Sequence, residues 1–395
     1  MTEMAMNNLF GRHSAIGHAA DGHVGPSLRM PHLRDRDHPA IYQSSFSISP
    51  FSLSPFLPFL LILFLAFNLA ACDFFDKDDG VSETSNETLF PVLIDGVWGY
   101  VNEEGRITIP PDYDAADGFS EGVGAVAFGA DWGYVNAQGA TVIAPQYRFA
   151  GPFLDGLAVV RGQGFSDNYG YIDKQGNLVI DAQYELAQGF SEELAAVRVD
   201  GQWGYINRQG EMVIAAQFSD ARPFAEGRAA VEGPDGWAYI DKSGAFAITP
   251  TFSLEAAGSF SEGLAPFSTS EGWGYLDTEG RPVITPQYTE AGAFSDGIAL
   301  VKDGHTVLFI DTNGQRAFEG EFRDARSFSE GLAAVRIENR WTFIRQSDGA
   351  VAFEREFHNV EDFEDGLARV YPDGGDNPRL GYIDRNGDYA WYPTK

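Results

Sequence analysis

The sequence predicts an all-β fold, a tandem array of about eight to nine three-stranded β-hairpin repeats of ~34 residues. Three observations lead there. One short motif recurs at near-constant spacing along most of the chain. A turn with an Asx residue and a glycine follows nearly every copy. The composition, with 45 glycines and 14% aromatic residues, suits many strands and many tight turns.

The motif is a Trp, Tyr or aliphatic residue, then a small residue, an aromatic and an aliphatic. It reads Trp98-Gly99-Tyr100-Val101, Trp132-Gly133-Tyr134-Val135, Tyr169-Gly170-Tyr171-Ile172, Trp203-Gly204-Tyr205-Ile206, Trp237-Ala238-Tyr239-Ile240 and Trp273-Gly274-Tyr275-Leu276. It then degrades to Val307-Leu308-Phe309-Ile310, Trp341-Thr342-Phe343-Ile344 and Leu380-Gly381-Tyr382-Ile383. Successive starts lie 34, 37, 34, 34, 36, 34, 34 and 39 residues apart. Trp and Tyr, two residues apart, share one face of a strand, the residue after Tyr lies on the other, and both faces are largely apolar. Such a hairpin cannot bury its surface alone and must stack on its neighbours.

Each unit continues in the same way. The turn reads Asp173-Lys174-Gln175-Gly176, Asp241-Lys242-Ser243-Gly244 or Asp311-Thr312-Asn313-Gly314. Asp caps local backbone amides and Gly takes the positive φ the hairpin needs. A second strand follows, such as Val142-Ile143-Ala144-Pro145-Gln146-Tyr147 or Val283-Ile284-Thr285-Pro286-Gln287-Tyr288. Proline cannot donate to a ladder, so Pro110, Pro145, Pro250 and Pro286 place this strand at an edge. A third strand comes after a loop, as in Phe190-Ser191-Glu192-Glu193-Leu194-Ala195-Ala196-Val197 and Phe328-Ser329-Glu330-Gly331-Leu332-Ala333-Ala334-Val335. The small residue after Trp is expected to let a neighbouring unit approach.

Two arrangements fit this pattern. The array opens on an orphan strand, Pro91-Val92-Leu93-Ile94-Asp95, and ends on an orphan hairpin from Gly381 to Trp391. In an open superhelix or solenoid, the favoured form, these are caps. In a closed propeller-like ring they would pair and complete a ninth unit. Nine is many for a ring, and ~34 residues is short beside the ~40–45 typical of a four-stranded blade.

The combined pattern resembles the WG-repeat (WG β-repeat) family of bacterial proteins, over residues 91–395. The resemblance implies an all-β repeat array, often secreted or surface-bound. It implies no catalytic activity and no agreed ligand, so no functional residue is carried over from it.

The N-terminal part divides into three. Residues 1–50 lack any period and are expected to be a disordered extension. Residues 51–72 hold an apolar run from Phe56 to Phe67, then Leu69-Ala70-Ala71-Cys72. An apolar segment of this length before small residues is a secretory signal pattern. The four residues resemble the lipobox of bacterial lipoproteins, in which the cysteine is lipidated. The one cysteine of the chain, Cys72, stands at the required place. The basic residues Arg34 and Arg36 lie farther from the apolar run than that pattern usually has them. Residues 73–90 are polar and aperiodic, as expected of a flexible acidic tether. Asp73 resembles an inner-membrane retention signal and the acidic cluster resembles a surface-export signal, so the membrane and its face stay open.

The formal net charge is −30, and residues 1–72 contribute nothing to it because Arg12, Arg29, Arg34 and Arg36 balance Glu3, Asp21, Asp35 and Asp37. A folded part this acidic repels phosphate backbones, which argues against nucleic acid. It favours cations or a basic or neutral partner. Cys72 lies outside the array, and only His305 and His358 lie within it, so no metal site is expected there. Asp384-Arg385-Asn386-Gly387-Asp388 has the start of a Ca²⁺ loop but not its terminal Glu, and it is also the repeat's ordinary turn.

Two rows repeat with the array. Trp98, Trp132, Trp203, Trp237, Trp273 and Trp341 are either a row for stacking sugars or side chains, or the packing element of the repeat; packing is the stronger expectation, because regular placement is what packing demands. Glu121, Asp155, Glu192, Glu226, Glu262, Asp296, Glu330 and Asp365 are either an acidic ribbon or solvated turn residues. A glycosidase needs two carboxylates in unlike environments, and here every unit offers the same one. No nucleophile elbow, P-loop or dinucleotide fingerprint is present. The expectation is a non-enzymatic, cofactor-free, lipid-anchored protein of the bacterial cell envelope, using the array for protein interaction. The alternatives are envelope glycan binding or glycan-directed activity through the repeat aromatics, and a structural spacer.

Overall fold

The computed structural model describes residues 88–162, 167–249, 252–375 and 378–394. The expected extension, signal segment with Leu69, Ala70, Ala71 and Cys72, and all but the last residues of the tether lie outside them.

The described residues form nine antiparallel sheets, one after another along the chain. Each sheet is a meander whose strands pair in chain order. Sheet 4 is representative: Leu186–Ala187, Ala195–Val199, Gln202–Ile206 and Met212–Phe218. The sequence repeat was cut at the Trp-Gly-Tyr strand, but the sheet starts one strand earlier. The Phe-Ser-Glu-Gly-Leu-Ala segment supplies the first and second strands, Trp-Gly-Tyr the third, and Val-Ile-x-Pro-x-Tyr the fourth. The structural repeat is therefore four-stranded where complete, not three-stranded.

Of the two arrangements, the closed ring is the one observed, as a nine-bladed propeller. Its closure differs from the expected one. The opening strand Phe90–Ile94 pairs with Val97–Val101, in sheet 1, and the final hairpin Leu380–Asp384 and Tyr389–Thr394 belongs to sheet 9 with Asn359–Glu364 and Leu367–Tyr371. The two ends meet face to face and do not share a sheet. Phe90, Val92 and Val101 of sheet 1 pack on Leu367, Leu380 and Tyr382 of sheet 9 in one buried cluster.

That cluster repeats what holds every other junction. The Tyr-bearing face of one sheet packs on the opposite face of the next. Between sheets 4 and 5, Ala196, Tyr205 and Ile214 pack on Phe224, Val231 and Ile240. The aromatic of each third strand meets the phenylalanine of the next sheet's first strand, with ring centroids 4.9 Å apart for Tyr205–Phe224, 4.8 Å for Tyr275–Phe294 and 5.0 Å for Phe343–Phe363. Such pairs contribute about 0.5–1.5 kcal/mol each beyond area burial. At the closing junction Phe90 takes that role against Tyr382, at 5.4 Å.

First strands of consecutive sheets are tied directly. Ser191, Ser261 and Ser329 donate to the carbonyls of Phe224, Phe294 and Phe363 at 2.7, 2.7 and 2.6 Å, and Ser120 does the same to Phe153. Neighbours in a ring approach most closely at its centre, so the first strands line the axis. The fourth strands form the rim, where Val142, Leu178, Val179, Met212, Val213 and Val283 are exposed. Pro110, Pro145 and Pro286 accordingly sit on an edge, as expected, while Pro250 lies outside the described residues. Propellers of four to eight blades are usual, and a ninth widens the axial opening.

The small residue of Trp-Gly-Tyr serves its own sheet, contrary to expectation. The fourth strand bulges between its Ile and its Tyr, so that Tyr205 faces Ile214 while Trp203 faces Phe218. A Cβ on Gly204 would lie 2.6 Å from the Ile214 carbonyl oxygen and 2.7 Å from the Ala216 nitrogen. Where the small residue is lost, as at Leu308 and Thr342, the fourth strand is reduced to isolated bridges. The neighbour is met instead by the turn glycine: Gly210 packs on Ile180, and Gly105 of sheet 1 packs against Ala390 of sheet 9.

Candidate interaction surface on the turn face

The first-to-second-strand turns and the third-to-fourth-strand turns emerge on the same face of the ring. The former are two-residue hairpins. Their acidic residue takes φ of 50–55° in Glu121, Asp155, Glu192, Glu226, Glu262, Asp296, Glu330 and Asp365, and a glycine follows at positive φ in all but one. Positive φ at both central residues is the type I′ geometry that matches strand twist. The exception is Glu193, with φ 73° where the other sheets have glycine.

The carboxylate row is neither a free ribbon nor an unpaired set of turn residues. Six of the eight side chains reach forward to the next sheet's turn, Asp155 doing so to the Glu193 amide at 3.4 Å. Glu121 accepts from the Gly156 amide at 3.1 Å, Glu192 from Gly227 at 3.0 Å, Glu226 from Gly263 at 2.9 Å, Glu262 from Gly297 at 2.8 Å and Glu330 from Gly366 at 3.0 Å. These charge-assisted bonds link consecutive sheets.

Three carboxylates also hold a cation from the next sheet. Lys174 lies 3.0 Å from Glu121, Lys242 3.1 Å from Glu192 and Arg385 2.6 Å from Glu330. Each cation is the second residue of an Asp-x-x-Gly or Asp-x-x-Gly-like turn. Sequence reasoning gave these turns a structural role and missed the cations. The signal was present as a basic residue after the turn's Asp in some units and a neutral one in others. Burial opposes ionisation of Glu121, but the Lys174 hydrogen bond and the Gly156 amide outweigh it and hold its carboxyl below the usual range. Two grooves lie beside these pairs. One, of ≈ 370 Å³, is lined by Glu192, Glu193, Arg208 and Lys242, and the other, of ≈ 560 Å³, by Glu330, Arg345, Gln346 and Arg385.

The tryptophans lie elsewhere. Trp203, Trp237 and Trp341 are 6%, 9% and 8% exposed, and Trp98, Trp132 and Trp273 are half-buried against the cores of their own junctions. They read as packing elements. His305 and His358 are both exposed and belong to sheet 7 and the approach to sheet 9. Asp384 accepts the amides of Asn386 and Asp388, the ordinary work of the repeat's turn. Among the described residues no three His, Cys, Asp or Glu side chains converge to hold a metal ion. Cys72 and the lipobox are not placed.

No curated protein matches the sequence. Among solved structures, one described as a eukaryotic initiation factor is similar over 77% of this chain and 95% of its own, with a TM-score of 0.58 and 12% identity, a likeness of fold alone. Weaker likeness extends to Hsv2p of Kluyveromyces lactis, over 58% and 92% of the two chains (TM-score 0.39, 9% identity). It also extends to the dihydro-heme d1 dehydrogenase NirN, over 79% and 73% (TM-score 0.42, 14% identity). The family pattern described as WG containing repeat matches eight times, at residues 98–129, 132–164, 169–203, 203–232, 237–270, 273–304, 309–341 and 341–374. The chain belongs to the WG-repeat family.

Proposed function

We propose that this protein is a non-enzymatic interaction scaffold of the bacterial cell envelope, anchored by a lipid on Cys72. The observation that carries the scaffold reading is the division of labour within the repeat. The recurring aromatics are used in packing, while the turn face varies from sheet to sheet in charge and side chain. A rigid ring with a variable face suits protein recognition. The anchor rests on Leu69-Ala70-Ala71-Cys72 and the apolar run before it. The glycan alternative asked for an accessible aromatic row, and burial of Trp203, Trp237 and Trp341 weighs against it.

Two experiments test the two halves. Labelled palmitate should enter the wild type and not Cys72→Ser, and the variant should leave the membrane fraction; an unlabelled wild type ends the anchor hypothesis. Pull-down from native envelopes, followed by titration of the purified pair, should give a saturable protein complex. A chain that binds only polysaccharide, or nothing, would overturn the scaffold reading in favour of glycan binding or a spacer.

A further inference from the structure

The second residue of the third-to-fourth-strand turn reaches the acidic turn of the preceding sheet in Lys174, Lys242, Gln346 and Arg385. In three places that position holds a cation paired with the carboxylate, Lys174 on Glu121, Lys242 on Glu192 and Arg385 on Glu330, while Arg208 of sheet 4 lies beside Gly156 with no ion pair to Asp155 among the described residues. The carboxylate is oriented by the next sheet's glycine amide and still presents an oxygen to the ammonium or guanidinium. In Glu121 the division is explicit, with Oε1 on the Gly156 amide and Oε2 on Lys174. The structure therefore contains a built receptor for a basic side chain, occupied three times by the chain's own residues.

In sheets 6, 7 and 8 the same turn position holds Thr278, Thr312 and Gln346. The carboxylates they face, Glu226, Glu262 and Asp296, are exposed, and none is in an ion pair among the described residues. Glu226 and Glu262 keep the orienting bond to the next glycine, at 2.9 and 2.8 Å. Gln346 donates to the Asp296 backbone carbonyl, which leaves the side chain open. Arg228, on sheet 5, acts electrostatically on Asp241 instead.

We propose that Glu226, Glu262 and Asp296 form a docking arc for a basic segment of a partner protein. Its lysines or arginines take the places that Lys174, Lys242 and Arg385 fill elsewhere. One carboxylate per sheet is too sparse for a metal ion, which needs several oxygens converging on one point. The surrounding charge of −30 draws cations to the face and repels nucleic acid and anionic surfaces. This inference rests on the scaffold reading and adds the partner's charge.

The test is fluorescence anisotropy of a labelled hexalysine peptide against the purified full chain. Binding should be saturable, and weaker in Glu226→Gln/Glu262→Gln/Asp296→Asn by about threefold to a hundredfold, the product of three exposed ion pairs. A control losing equal charge outside the arc, Glu103→Gln/Asp112→Asn/Glu271→Gln, should bind as the wild type does. Thr278→Lys/Thr312→Lys/Gln346→Lys, which supplies the missing cations and keeps the glycine-amide bonds of Glu226 and Glu262, should weaken binding as much as the arc variant. Near-ultraviolet circular dichroism confirms folding of each. Equal losses in arc and control variants, or undiminished binding by the lysine variant, overturn the proposal. A native partner that binds this ring through a neutral or acidic segment overturns it too, while leaving the scaffold reading intact.

Discussion

The Tyr382 hydroxyl donates to the backbone carbonyl of Pro91, 2.8 Å away and 291 positions back along the chain. It is the ring's closing copy of a repeated bond. Tyr134, Tyr171, Tyr205 and Tyr275 each donate to a carbonyl 17 residues ahead, on the next sheet's first strand or the residue just after it, at 2.7–2.8 Å. Tyr382 uses the opening strand of sheet 1, Phe90–Ile94, which stands where the other sheets have their second strand. Tyr100 has that carbonyl as its farther acceptor, reaching Ala125 at 3.4 Å. Burial pushes the Tyr382 hydroxyl up to about 12 even with Arg369 beside it, so it stays a donor at physiological pH.

Tyr382→Phe should therefore cost about 1 kcal/mol, the net value of such a bond, with some excess for a buried acceptor left unpaired. The ring tolerates such a loss in principle, since Phe309 and Phe343 already stand at this position. Urea midpoints of Tyr382→Phe and Tyr205→Phe compare closing and internal junctions. Equal losses mean that the closure is one junction among nine. A loss several times larger in Tyr382→Phe would mean that the ring hangs on it.

Gly204→Ala puts a methyl group 2.6 Å from the Ile214 carbonyl oxygen. The bulge of Met212–Phe218 must shift, at a cost of order 1–3 kcal/mol. Ala238→Gly should be nearly neutral, because its fourth strand, Phe246–Ile248, is short. Thermal unfolding of the two variants should differ in that order. A stable Gly204→Ala would refute the close-approach account of the Trp-Gly dipeptide.

Legibility followed locality. The hairpins, the Asp-x-x-Gly turns and the edge position of Pro145 were readable because each depends on a few adjacent residues. The phase of the sheet was not. The first strand of sheet 4 is only Leu186–Ala187, too short to show alternation, so Phe190-Ser191-Glu192 read as a loop leading to a third strand. Ring closure depends on the angle between sheets, summed over all junctions, and no local motif states it. The carboxylates were visible as a row, but their partners were not, because Lys174 and Glu121 meet from different sheets.

Trp203→Ala should destabilise the ring and not merely remove a ligand contact. The indole is 6% exposed and packs with Phe218 and Tyr205 at the sheet 4–5 junction. Truncating a buried Trp costs about 3–5 kcal/mol. The denaturant midpoint should fall sharply. A Trp203→Ala protein as stable as the wild type would return the aromatic row to the list of binding surfaces.

The latch between Glu121 and sheet 3 should be sensitive to acid. Its carboxyl lies below the usual range because the opposing effect of burial is outweighed by Lys174 and the Gly156 amide. A carboxyl whose value is lower folded than unfolded stabilises the fold above the unfolded value, and that contribution fades as pH falls through the folded one. Acid also relieves the repulsion within a chain of net charge −30, which acts in the opposite direction and masks the effect in the wild type alone. The informative quantity is the difference between wild type and Glu121→Gln. It should favour the wild type at pH 7 and shrink toward zero once the pH lies below the ordinary carboxylate range of about 4. Lys174→Met should narrow the pH 7 difference, since it removes the cation that holds the charge. A wild-type advantage unchanged in acid would mean that Glu121 acts through packing and not through its charge.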